Sequence, residues 1–193
     1  MDDAAWQTVV ATLSDVHSLP AESQSRLRPM LTSRTLRQGD HLLREGEPAR
    51  IAAVVVEGVL REYFRDDQGR EHTRGFAYER TFAGSLADLL AETPARMNLE
   101  ALTHVRIAQV PWPHFDELTR IDAAWDHFAR RLAEHSYRRK AEREQRLLSL
   151  SAGERYERFL QERGELLDRV PLRHIASYLG ITPEHLSRLR RVS

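Results

Sequence analysis

Apolar positions recur at helical spacing near the start of the chain, at Trp6, Val9, Val10 and Leu13 and again at Leu27, Met30 and Leu31, which predicts one or two short helices. From Leu36 the rhythm shortens. Gly39, Gly46, Gly58, Gly69, Gly75 and Gly84 punctuate brief apolar runs at Leu42-Leu43, Ile51 to Val56, Val59 to Phe64 and Phe76 to Tyr78. Turn residues about every ten positions predict an antiparallel roll, sandwich or barrel. Asp66-Asp67-Gln68-Gly69 reads as a hairpin turn between Leu60 to Phe64 and His72 to Phe76. A short helix is expected at Ser85 to Ala91, after which Leu99 to Leu102 and Val105 to Val110 resume the strands.

Beyond Pro111 and Pro113 the pattern is helical to the end. His114 to Thr119 precedes a long segment from Asp122 to Leu150 whose apolar side is Trp125, Phe128 and Leu132, with Ala129 and Ala133 beside it. At 1.5 Å per residue that helix runs roughly 40 Å. It is apolar at both ends and charged between, with Glu134 to Arg138 and Glu142 to Arg146 in the stabilising i,i+4 order. These features predict a helix that bridges two domains and pairs with its copy in a second chain through Trp125, Phe128 and Leu132. Ser151-Ala152-Gly153-Glu154 has the form of a capping box and opens a further helix carrying Tyr156, Phe159 and Leu160. The expected units are therefore a roll at 1–121, a linker helix at 122–150 and a C-terminal domain at 151–193.

Composition narrows the functional classes. The 193 residues carry 29 basic and 29 acidic side chains, but the halves differ. Residues 1–129 hold 14 Lys/Arg and 20 Asp/Glu, residues 130–193 hold 15 and 9, so a body of charge −6 carries an end of charge +6. Such an end suits a polyanion or a solvated basic helix. The absence of cysteine excludes disulfides, thiolate metal sites and a cysteine nucleophile. No apolar run approaches the roughly 20 residues needed to cross a bilayer, and Met1-Asp2-Asp3 lacks the basic-then-apolar form of a secretory signal, so cytoplasmic residence away from membranes is expected.

The most specific pattern is Leu172 to Arg190. Ala176 lies four residues before Gly180, and Ile175, Leu179, Ile181, Leu186 and Leu189 supply two inner faces. Thr182 is placed as an N-cap, with Pro183 at the first helical position where its missing N–H is no loss. The arrangement reads as a helix-turn-helix. Thr182, Glu184, His185, Ser187, Arg188, Arg190 and Arg191 are the candidate DNA contacts, since arginine can donate twice to guanine and glutamate can accept from cytosine. Enzymatic chemistry finds no support: no His-x-His, Gly-x-Ser-x-Gly or phosphate loop is present, and His41, His72 and His104 stand alone on their segments. Trp112 is expected to pack where the roll hands over to the helices. No metal site is expected.

Taken with Gly39 to Glu47 and Val54 to Leu60, which match a glycine ladder in the roll, the chain resembles the Crp/Fnr family of bacterial transcription regulators along nearly its whole length. The resemblance implies an α+β fold with an N-terminal antiparallel, jelly-roll-like β-roll, a long dimerisation helix and a C-terminal helix-turn-helix of winged-helix type. It also implies double-stranded DNA as partner, a homodimer, contact with RNA polymerase and an unidentified small-molecule effector. Glu184 and Arg188 fall where the family reads bases.

Two departures matter. Members that bind cyclic AMP carry a cassette resembling Gly-Glu-Leu-(Ala/Gly) followed by Arg-(Ser/Thr)-Ala. Here Ser85 replaces the glutamate, Ala95 stands at the arginine position and Arg96 comes one residue late. A one-residue shift in an extended segment turns the side chain to the other face. Gly84, Ser85, Leu86, Arg96 and Asn98 remain as candidate ligand residues for some other anion, but neither cyclic nucleotide nor any cofactor is expected. The second departure is that no β-hairpin wing follows the last helix in this sequence. The alternative reading is a relative of the cyclic-nucleotide domain that acts through protein partners without sequence-specific DNA binding.

Overall fold

The structure, a computed structural model, describes residues 1–192. Ser193, the end of the expected third unit, lies outside the described residues. The order is α1 (Asp3–Val16), α2 (Ala21–Leu27), β1 (Thr32–Leu36), β2 (His41–Leu43), β3 (Ile51–Glu57), β4 (Leu60–Arg65), β5 (Glu71–Ala77), β6 (Phe82–Ala83), α3 (Leu86–Ala91), β7 (Asn98–Ala101), β8 (Val105–Pro111), α4 (Trp112–Ile121), α5 (Ala123–Ser149), α6 (Ala152–Arg163), α7 (Leu172–Leu179) and α8 (Pro183–Val192). The fold is α+β. Among the described residues no helix is long and apolar enough to cross a membrane.

Two four-stranded antiparallel sheets, ordered β1-β8-β3-β6 and β2-β7-β4-β5, form the roll. Val55, Leu60, Leu99, Val105 and Ile107 are buried together in its interior. The continuous apolar run of β3 has a simple cause. Its sheet is covered on both faces: Val55 joins the interior cluster while its neighbour Val54 joins a second cluster with Trp6, Val9, Val110, Phe115 and Leu118. Period-two alternation sends successive residues to opposite faces, so a strand covered on both sides needs apolar residues throughout. The helices supplying the outer cover are α1, α2, α4 and the beginning of α5.

That cover corrects the expected dimer seam. Trp125 and Phe128 are fully buried in the outer cluster of their own chain, and Leu132 packs against it. The Trp125 ring meets Phe115 and Phe128 edge-on at 5.7 and 5.4 Å, and its Nε1–H donates to the Ser23 carbonyl at 2.9 Å. The apolar stripe of α5 faces inward because the outer surface of an apolar strand pair needs covering. Trp112 stacks on Phe115 at 5.3 Å in the same layer, at the hand-over from roll to helices.

The expected ion pairs along α5 also differ. Glu134 accepts from Arg130 and Arg131 at 2.6 and 2.9 Å rather than from Arg138, and Arg146 reaches Glu162 of α6 at 2.8 Å rather than Glu142. A helical side chain leans toward the N-terminus, which brings Glu134 to the preceding turn. Arg146 sits where α6 returns alongside α5, and a partner from another element takes it.

Candidate functional site

The two C-terminal helices meet through Ile175, Ala176, Leu179 and Leu186, all buried with Tyr156, Phe159, Leu166 and Val170. Gly180 turns the chain in the left-handed region, φ 69°, and its N–H closes α7 on Ser177. A side chain there would be strained, which is why glycine occupies the turn. Ile181 and Leu189 are partly buried against the cluster. The Thr182 hydroxyl accepts the His185 amide at 3.2 Å, the capping bond expected for the start of α8.

With Leu186 inward, Thr182, Glu184, Ser187, Arg188, Arg190 and Arg191 are exposed, and His185 is half-buried. The amide of Glu184 itself and the Thr182 hydroxyl hold the Glu184 carboxyl below the ordinary carboxylate range, with Arg188 adding to the effect. Glu184 and Arg188 both turn toward solvent on one side of α8. Ser187 and Arg191 flank that side, whereas Arg190 follows Leu186 by one turn and lies round the helix from it.

The cassette is a different case. Ser85 and Arg96 do come together, but around a residue that sequence reasoning missed. Asp88, only 2% exposed, accepts from the Ser85 hydroxyl at 2.6 Å, the Arg96 amide at 3.1 Å and Arg96 Nε at 2.6 Å. Burial raises the Asp88 carboxyl, the Ser85 and Arg96 bonds lower it, and the lowering prevails. The Arg96 side chain is 72% exposed beyond that pair. Asn98 accepts the Glu45 amide on its Oδ1 at 3.1 Å, and its buried Nδ2 has no partner among the described residues. Gly84 sits at φ 142°, and a Cβ there would stand 3.0 Å from the Ile51 carbonyl, so its lack of a side chain serves the approach of β3. Leu86 opens α3, a helix of 6 residues. The anion site expected from Gly84, Ser85, Leu86, Arg96 and Asn98 is therefore not assembled as read: an internal carboxylate takes the Ser85 hydroxyl and the Arg96 amide and Nε. A carboxylate in that position also repels phosphate.

A second feature lay beyond sequence reasoning. The C-terminal helices dock on the roll. The Thr73 amide of β5 donates to the Ser177 hydroxyl of α7 at 2.9 Å, and Arg169 forks onto Glu79 at 2.8 and 2.6 Å. Val59, Phe76 and Leu102 of the roll join the apolar cluster of the C-terminal helices. Beneath α7 lies Arg61, 2% exposed, which donates to Thr73 at 2.9 Å and to Glu71 at 2.6 Å and stacks on Tyr63 at 4.3 Å. His174 of α7 is buried above it. The opposed charges of the two halves were the one sequence signal for this seam, and Glu79 with Arg169 realises them directly.

His41 is engaged by the Tyr63 hydroxyl at 3.1 Å and His72 by Asp66 at 2.9 Å, and among the described residues no group of three potential ligands could hold a metal ion. The double-sheet roll with its short α3 between β6 and β7 has a counterpart among known domains. Residues 33–122 match the family profile of the cyclic nucleotide-binding domain. No curated protein matches the chain by sequence. Solved structures do match by fold. FixK2 from Bradyrhizobium japonicum superposes with a TM-score of 0.75 at 23% identity, over 83% of each chain. The c-di-GMP-responsive global regulator CLP of Xanthomonas campestris gives 0.69 at 18% identity, over 89% of this chain and 90% of its own. A protein from Eubacterium rectale assigned to the Crp/Fnr family gives 0.70 at 17%, over 90% and 83%. The likeness to these regulators is one of fold, and it extends past the cyclic nucleotide-binding domain into the C-terminal helices.

Proposed function

We propose that the chain is a DNA-binding transcription regulator of the Crp/Fnr type that works as a homodimer and is not switched by cyclic AMP. The observation that carries this reading is the solvent-facing side of α8, where Glu184, Ser187, Arg188 and Arg191 stand exposed opposite buried Leu186 on a helix with a formed N-cap. A capped helix held by an apolar inner face can enter a major groove with these tips toward base edges and phosphates. The protein performs no covalent step.

With Trp125 and Phe128 committed to the core, the dimer contact moves along α5. Tyr137 is 73% exposed and Leu148 82% exposed. They lie eleven residues apart, about three helical turns, and so share a face. A second copy pairing along this face buries both and sets the distance between two α8 helices, with half-sites about 34 Å apart.

Arg188→Ala is expected to cost about 1 to 3 kcal/mol on the preferred site and to relax one position per half-site. Arg191→Ala, at the end of α8 where phosphates lie, should weaken all sequences alike and reduce the salt slope by about one for each phosphate left without its cation. Selection from a random DNA pool, followed by titration of both variants across salt, reads the two effects separately. Unchanged site ranking in Arg188→Ala would remove α8 as the reader and favour action through protein partners.

Cyclic AMP is expected to bind no tighter than about millimolar, because Asp88 already holds Arg96 Nε and its charge repels a phosphate approaching the rest of the guanidinium. Calorimetry giving a micromolar constant would overturn this.

A further inference from the structure

The last turn of an α-helix leaves backbone carbonyls without helical donors and carries the negative end of the helix dipole. At the end of α7 two such carbonyls are taken by arginines from other helices. Arg143 of α5 donates through Nη2 to the Tyr178 carbonyl at 3.0 Å, and Arg155 of α6 donates through Nε to the Leu179 carbonyl at 2.9 Å. Each arginine also holds a second element. Arg143 reaches the Thr73 carbonyl of β5 at 3.4 Å, and Arg155 reaches the carbonyl of Leu150, the residue that ends α5, at 2.5 Å. One guanidinium therefore joins the roll, the long helix and α7, and another joins the end of α5 to the end of α7.

This joint adjoins the turn that launches α8. A Cβ at Gly180 would stand 3.5 Å from the Leu147 side chain, so α5 lies against the turn itself. Gly180, Ile181 and Thr182 alone separate α7 from α8, and the Ile181 amide closes back on the Ala176 carbonyl at 3.0 Å. So short and tied a connection makes the direction of α8 follow that of α7. Arg143 is itself fixed, lying 4.2 Å over the Tyr178 ring. Arginine suits this task because its planar fork of N–H groups engages two acceptors at a set angle while its face stacks on a ring, whereas lysine is a point donor on a flexible stem.

We propose that Arg143 and Arg155 are positioning residues that set the angle of α8 to α5 and, through it, the spacing between two half-sites. This rests on the reading of the chain as a dimeric DNA-binding regulator and names the side chains that fix its geometry. Adjacent base pairs lie about 3.4 Å apart, so a change of one base pair in half-site spacing asks each subunit to move by about 1.7 Å. A joint bridged by guanidinium groups resists that movement, and a joint without them yields to it.

The test is selection from a duplex pool in which two copies of the preferred half-site are separated by varied numbers of base pairs. Wild type is expected to favour one spacing about tenfold over those one base pair shorter or longer, and Arg143→Met and Arg155→Met to cut that preference to about twofold, the scale of losing a charged hydrogen bond. Base identities within each half-site should stay the same. Arg143→Lys keeps the charge without the fork, so it should lose spacing preference like Arg143→Met. Arg130→Met removes the same charge from α5, where Arg130 bonds to Glu134 and His127 of its own helix, and should keep the wild-type spacing. If urea denaturation shows Arg143→Met to be unfolded, Arg143→Lys and Arg155→Met decide. A wild type indifferent to spacing, unaltered spacing preference in the folded variants, or variants that weaken every spacing alike would overturn the positioning role while leaving α8 as the reader. Altered bases within the half-site would overturn it too, making these arginines DNA contacts. A wild type that selects no sequence would overturn the DNA-binding reading together with it.

Discussion

Phe128→Asp is expected to unfold the amino-terminal half of the protein, whereas Tyr137→Asp leaves it folded and separates subunits. Phe128 is enclosed by Trp125, Phe82 and the helical cover of the roll's outer sheet, with the Trp125 and Phe82 ring centroids 5.4 and 6.4 Å away. Truncating a buried aromatic of this size costs about 3 to 5 kcal/mol, and placing an unpaired carboxylate there adds the desolvation of a charge. Typical domains have only about 5 to 15 kcal/mol in total. Trp125→Ala should be similarly destabilising, since it also removes the indole N–H bond to the Ser23 carbonyl. Urea denaturation and sedimentation velocity on the three proteins decide the matter. A folded, monomeric Phe128→Asp variant would return Phe128 to a subunit interface.

The contrast shows which parts of the molecule are legible from residue order. The β-hairpin at Asp66–Gly69, the capping box at Ser151 and the Gly180–Thr182–Pro183 turn follow from local chemistry, in which a few neighbouring residues determine the backbone, and all three are present. The stripe of α5 is equally visible as a stripe. What it packs against is not, because periodicity reports an apolar face without naming its partner. The same holds for the cassette. Ser85 stands three residues before Asp88, a local spacing, but the return of Arg96 onto the same carboxylate from eight positions on depends on the fold. The docking seam joins Thr73 to Ser177 and Glu79 to Arg169, 104 and 90 positions apart, a separation at which local pattern carries no information.

Lowering the pH from about 6.5 to about 4 is expected to cost roughly 2 to 3 kcal/mol of stability through His174 alone. Burial on the inner side of α7, then the charges of Arg61 and Arg173, hold this imidazole down at about 4 against an ordinary value of 6.5, with Glu71 opposing them. The folded chain therefore keeps His174 neutral through a range in which the unfolded chain binds the proton. A state that takes up protons gains on acidification, so stability falls as pH drops through that window and is unaffected above it. His174→Gln should flatten the slope between pH 6.5 and pH 4 while lowering stability at neutral pH by less. Carboxylates such as Asp88 and Glu79, also held low, cease to contribute at still lower pH and remain in the variant. Equal slopes in wild type and variant, from urea midpoints across pH, would show that His174 does not carry the effect.

Asp88 competes for Arg96 as a tethered ligand does. A partner joined through the same fold does not dissociate into bulk, so its concentration at the arginine is fixed by geometry and is insensitive to dilution or supply. A diffusible anion reaching the outer guanidinium of Arg96 meets the charge of a rival that is always at hand. The cassette is a socket filled in part by the chain's own carboxylate, with Asp88 tying α3 to the segment that leads into β7.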